Sequence, residues 1–135
     1  MVSGEDLAEA AGPLLIRLDD AEGRARLASW ARSFECEPDA VWWWASAMGR
    51  ARVVDHDPES WGDLFAAELR QLGGDRVHLV LTDDDAPPWP VFELPKAAVT
   101  GLLAELPYFE FFLVSGDERS ILFDTHHDQL VRLER

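Results

Sequence analysis

Two segments combine imidazole and carboxylate at short spacing. His126 and His127 are adjacent and flanked by Asp124 and Asp128, and Asp55-His56-Asp57 brackets a third histidine. Such residues hold a divalent metal when they converge on one point. Neighbouring strand residues point to opposite faces, so both imidazoles reach one ion only across a sharp local turn. A turn is expected here, between two strands. In the preferred reading Asp124 or Asp128 accepts backbone N–H bonds and a histidine locks the hairpin through a carbonyl. His126, His127 and Asp128 therefore stand as a metal-site alternative, which His78 or the Asp55–Asp57 group could extend without the spacing requiring it. No cofactor is expected. His56 reads as a flanking loop residue, because Asp57-Pro58 spells an N-cap Asp followed by Pro at the first helical position.

Aromatic and acidic clusters point to docking chemistry. On a helix, three successive residues such as Trp42, Trp43 and Trp44 span about 200°, so they cannot all face one core. An indole left at the surface makes an interface or a ligand shelf; the competing reading buries one and covers the rest with neighbouring helices. Asp83-Asp84-Asp85 lacks the alternating acids and closing Glu of an EF-hand loop. It reads as a solvated turn beside an exposed Trp89, able to meet a basic partner. The candidate partner-binding set is thus Trp42, Trp43, Trp44, Asp55, Asp57, Asp83, Asp84, Asp85 and Trp89. The sequence has no phosphate-cradling glycine loop, no G-x-S-x-G elbow and no H-E-x-x-H. Cys36 lies between Glu35 and Glu37, whose charges raise a thiol pKa instead of activating it. No catalytic residue is assigned, and an enzyme is not expected.

The elements that must position these residues change character midway. Ser3 with Asp6 resembles a capping box, and Gly12-Pro13 ends the segment it opens. Leu14, Leu15, Ile16 and Leu18 follow as a short buried turn or strand. Asp19-Asp20 caps a helix running to about Phe34, with Leu27, Trp30, Ala31 and Phe34 at helical spacing. Pro38 fits the first turn of a third helix that carries the three tryptophans to Met48. A fourth follows Asp57-Pro58, and Gly73-Gly74 stops it. Val77–Leu81 is a buried strand. Pro87, Pro88 and Pro90 leave Val91–Leu94 an edge strand at best, and Lys96–Leu106 is a short helix. From Tyr108 to Val114 the residues alternate, Phe109, Phe111 and Leu113 against Tyr108, Glu110, Phe112 and Val114. Ser120–Phe123 returns antiparallel, and Gln129–Leu133 is the last strand. The expectation is a single α+β domain over 1–135: a helical N-terminal layer (1–74) packed on a mostly antiparallel three- to five-stranded sheet formed by the C-terminal half (75–135).

The 135 residues carry 26 acidic and 12 basic side chains, for a net charge of −14. That charge argues against direct nucleic-acid binding and against an anionic membrane surface, both of which need clustered Lys and Arg. With 47% hydrophobic residues there is material for a core. A single cysteine excludes an intrachain disulfide framework, and no apolar run nears the roughly 20 residues of a membrane span. The opening residues lack the basic start and apolar stretch of a signal peptide, so a cytoplasmic location is expected.

The stretches Tyr108-Phe-Glu-Phe-Phe-Leu-Val-Ser and Ile121-Leu-Phe-Asp-Thr-His-His-Asp-Gln-Leu130 resemble the closing hairpin of an uncharacterised family of small acidic bacterial proteins. Similar modules occur among presumed immunity partners of polymorphic toxins. The resemblance covers roughly 76–133 and rests on Glu110, His126, His127, Asp128 and Leu130; Ile121-Leu122-Phe123 stands where many such proteins place Trp. It implies an α+β fold, a bacterial origin and an immunity role. Combined with the charge, it gives the leading expectation of an inhibitor that occludes the active site of a basic toxin or effector domain. The alternatives are a metal-dependent protein or enzyme built on His126, His127 and Asp128, or an acidic nucleic-acid mimic.

Overall fold

The apolar runs of the second half form the inner strands of one antiparallel sheet, in a computed structural model that describes residues 2–40, 42–83, 88–125 and 128–135. The strands are β1 (Ile16–Arg17), β2 (Arg52–Asp55), β3 (Arg76–Leu81), β4 (Val91–Pro95), β5 (Phe111–Ser115), β6 (Ser120–Asp124) and β7 (Gln129–Glu134). Their spatial order is β1-β4-β3-β5-β6-β7-β2. Every residue of β5 and β6 is buried. Both faces are covered, which is why these strands read as unbroken apolar runs and do not alternate with polar residues.

Period-two geometry sorts the two cores. Leu79, Phe111, Leu113, Leu122 and Leu130 face a cluster built with α1 (Gly4–Ala11), α4 (Trp61–Gln71) and α5 (Val99–Ala104). Val80, Phe112, Val114, Ile121, Phe123 and Val131 face the other, built with α2 (Asp20–Ser33) and α3 (Trp43–Ala47). The expected α+β class holds, with helices on both faces where a single N-terminal layer was expected. The sheet has seven strands instead of three to five, because the N-terminal half supplies both edges. Its β2 pairs with β7, Val53 opposite Val131, and β1 pairs with β4, Ile16 opposite Glu93. The β4 strand consequently lies inside the sheet, though only two residues cover its outer side. No helix among the described residues is long and apolar enough to cross a membrane.

Local chemistry sets the helix ends. Ser3 and Asp6 form the reciprocal capping box, and Asp19 accepts the Glu22 N–H at 2.8 Å. Asp57 makes reciprocal capping bonds one turn ahead of the regular helix α4. Its carboxylate accepts the Ser60 N–H at 2.8 Å while the Ser60 hydroxyl accepts the Asp57 N–H, closing a polar turn that delays the helix to Trp61. The third helix is also shorter than expected. Trp42 is extended (φ −123°), so α3 is five residues followed by a 3-10 turn, Met48–Arg50. Leu14 and Ile16, expected to be buried, are each 51% exposed, because the two-residue β1 lies at the sheet margin.

Candidate functional site

Antiparallel pairing gathers distant segments at one end of the sheet. There β2 ends at Asp55 opposite Gln129, β6 ends at Asp124 opposite Leu130, and β3 ends at Leu81 opposite Phe111. Among the described residues of the segments that leave and enter the other strands at this end, 55–60, 82–83, 88–90, 105–110, 124–125 and 128, none is lysine or arginine. The strand β1 also leaves the sheet here, and Arg17 and Arg24 border Pro88 and Trp89 at that margin. At the opposite end Arg52, Arg76, Arg119 and Arg135 mix with Asp75, Asp117, Glu118 and Glu134. Charge is segregated along the strands from β3 to β2, away from the β1 margin.

This end holds a pocket of about 420 Å³. One wall is α4 and the segment before it, with His56, Pro58 and Trp61. The second comes from the end of α5 and the strand lead-in, with Leu103, Leu106, Pro107, Tyr108, Phe109 and Phe111. Asp124, Thr125 and Asp128 complete it. Trp61 stacks on Phe65 with ring centroids 5.0 Å apart, and Phe109 lies 5.1 Å from Phe111, so the aromatic walls are braced by the core behind them. Tyr108 is 61% exposed and forms the rim.

The polar groups converge on Asp124. Its Oδ2 accepts the Trp61 indole N–H at 2.9 Å, and its Oδ1 lies 3.6 Å from His56 Nε2. Burial lifts the Asp124 carboxyl above the usual carboxylate range; the Trp61 hydrogen bond and the nearby His56 imidazole oppose that rise. The side chain of His56 is 6% exposed, and among the described residues neither ring nitrogen has a hydrogen-bond partner. The His56 backbone N–H donates to the Asp128 carbonyl at 3.0 Å, tying the end of β2 to the start of β7. Asp128 makes this possible by adopting φ +58°, a left-handed conformation that Asp tolerates better than most residues. At the rim, burial raises the Tyr108 hydroxyl pKa, and the charges of Asp124, Glu110, Asp83 and Asp128 raise it further. Four carboxylates thus lie close enough to act on the Tyr108 hydroxyl at the rim.

The residues marked from sequence divide. Asp55 is exposed and accepts the Gln129 amide at 3.0 Å; Asp57 is exposed in its turn. Asp83 is a staple, not a free docking acid: its carboxylate accepts the Val2 and Glu110 N–H groups at 2.9 and 2.7 Å. Asp84, Asp85, His126 and His127 lie outside the described residues. Trp89 is buried, contrary to expectation, because it packs edge-on against Trp43 and Phe112 in the second core. Trp43 is buried with it. Trp42 is 44% exposed and stacks on the half-buried Trp44, centroids 6.0 Å apart. This pair adjoins the pocket, since Phe111 and Asp124 line the shallow depression beneath the tryptophans as well.

His78 is remote from Asp128, set against Trp30 on the α2 face, and burial lowers its pKa. Cys36 is buried on that face, and burial, not its acidic neighbours, raises its thiol pKa. Among the described residues, no group of three or more His, Cys, Asp or Glu side chains is arranged to hold a metal ion.

Sequence reasoning assigned no site role to Trp61 or Tyr108, read His56 as a flanking loop residue that could at most extend a metal site, and took Asp124 as a turn acid beside the paired histidines. One signal was available. Asp124 ends a wholly apolar strand run, and an acid there is either solvated or held by a buried donor. The chain matches no protein-family model, no curated protein and no solved structure.

Proposed function

We propose that this chain is a binding protein of inhibitor or immunity type that docks a basic protein partner, such as a toxin or effector domain, through the acidic, aromatic end of its sheet. The observation that carries the reading is the segregation of charge. The described residues of four chain segments at that end include carboxylates and no Lys or Arg, around exposed Tyr108 and Trp42, while Arg17 and Arg24 stay at the β1 margin. Aromatic anchors within an acidic rim supply the two things such an inhibitor needs. The carboxylates speed encounter with a partner that carries Lys and Arg to grip phosphates, and the rings provide desolvated contact area.

The test is co-expression with a basic, toxic reading frame encoded beside this chain. Wild-type protein is expected to restore growth, and Asp55→Lys with Asp128→Lys to lose that protection. Glu9→Lys on the exposed face of α1 should retain it. Protection indifferent to reversal at the sheet end would overturn the reading.

A further inference from the structure

The pocket beside His56 and Asp124 has a shape and chemistry more specific than a charged surface. Its volume of about 420 Å³ lies toward the small end of ligand pockets, enough for one long side chain or a compact molecule and small for a nucleotide cofactor. Its walls are aromatic, which suits a planar or alkylated cation lying across ring faces. Asp124 provides a buried carboxylate, and Asp128 provides an exposed one at the mouth. Beside Asp124, the wall contains a buried imidazole, His56, whose Nε2 lies 3.6 Å from Asp124 Oδ1 and whose nitrogens have no hydrogen-bond partner among the described residues. Polar groups buried without partners are uncommon in a finished core and recur at sites that are completed by a ligand.

We propose that this pocket is a cation subsite that receives an arginine side chain of the docking partner. The proposal rests on the docking function above and names the contact that anchors it. Arginine fits better than lysine. Its guanidinium is planar, is weakly hydrated and stacks on rings, and its apolar stem can lie along Leu103, Leu106 and Pro107. The head meets the Asp124 carboxylate in a water-poor setting, where charge-assisted hydrogen bonds are strongest.

The probe is the peptide acetyl-Gly-Arg-Gly-amide, titrated into the 135-residue chain and followed by NMR at the Trp61 indole N–H and the Phe109 and Phe111 amides. The control replaces arginine by citrulline, which keeps the shape and removes the charge. Saturable shifts confined to the pocket are expected, with Kd on the order of 1 mM, as befits a single side chain. Citrulline should bind at least tenfold more weakly. Asp124→Asn should weaken the arginine peptide by a similar factor, and Tyr108→Ala by about threefold through loss of one ring face. Tyr108 is mostly exposed, so that variant keeps its fold even if Asp124→Asn perturbs packing. Equal binding of the two peptides, or shifts that bypass the pocket, would overturn the subsite. Growth protection that persists under that outcome, still sensitive to Asp55 and Asp128, would leave the docking function standing without it. Pocket binding with no protection by any neighbouring partner would do the reverse.

Discussion

Asp124 is held in a way that costs the fold stability. Burial raises its carboxyl pKa, so its ionised form is less favourable in the folded chain than in the unfolded one. A folded-state pKa above the unfolded value contributes stability that is fully present below the unfolded pKa and is lost as pH rises through the folded one. Asp124→Asn keeps an oxygen to accept the Trp61 indole and removes the charge. It should therefore raise the melting temperature at pH 7, by about 3 °C, and lose that advantage near pH 3. Calorimetry at the two pH values measures it, and a variant less stable at both would mean that the charge is compensated in the folded state. His78 works in the opposite direction. Burial against Trp30 depresses its pKa from 6.5, so stability is complete above that value and declines as pH falls from it toward the folded pKa. Denaturation by urea at pH 7 and pH 5 should show that decline, reduced in His78→Leu.

One element that the sequence hides, β2, rests on a polar network. Glu68 on α4 is buried, and its carboxylate receives Arg52 Nε at 3.0 Å and Arg132 Nη1 at 2.6 Å, clamping the paired strands β2 and β7. Glu68→Ala leaves Arg132 without this partner and should cost about 3 kcal/mol in urea unfolding, with β2 amides losing hydrogen-exchange protection first. Asp128 supports the same edge through its left-handed backbone, so Asp128→Asn should be nearly neutral for stability, whereas Asp128→Val should cost about 1 kcal/mol or more. These dependencies explain what could be read in advance. The caps at Ser3 and Asp19 are local signals, and the alternation from Phe109 to Val114 sorts two cores by parity, so α1, α2 and β5 were legible. The segment Arg52-Val-Val-Asp is short, largely exposed and stabilised by a strand from the other end of the chain; no local pattern announces it. The pocket was illegible for the same reason. His56 with Trp61, Tyr108, and Asp124 belong to three separate segments that only the strand order brings together, and the buried Trp89 looked exposed because the prolines around it resemble a surface loop.

At the scale of the whole molecule, a net charge of −14 repels itself, and the repulsion is greatest where carboxylates gather without cations. Raising ionic strength from 0.01 to 0.1 M shortens the screening length from about 30 to about 10 Å. The melting temperature should climb accordingly by a few degrees, about 3 °C. The location of the strain is the sharper test. Asp55→Lys, at the acidic end, should stabilise the free protein by about 0.5 kcal/mol at low salt, while Glu9→Lys on α1 should change little. If both reversals have the same effect, the charge acts as a uniform solubilising coat, and no part of the surface is set apart. If only the sheet end responds, the chain maintains there an arrangement of carboxylates that its own fold does not need. Stability sacrificed at one place is the physical mark of a surface shaped for something outside the chain, and the same substitution should then slow encounter with a basic partner.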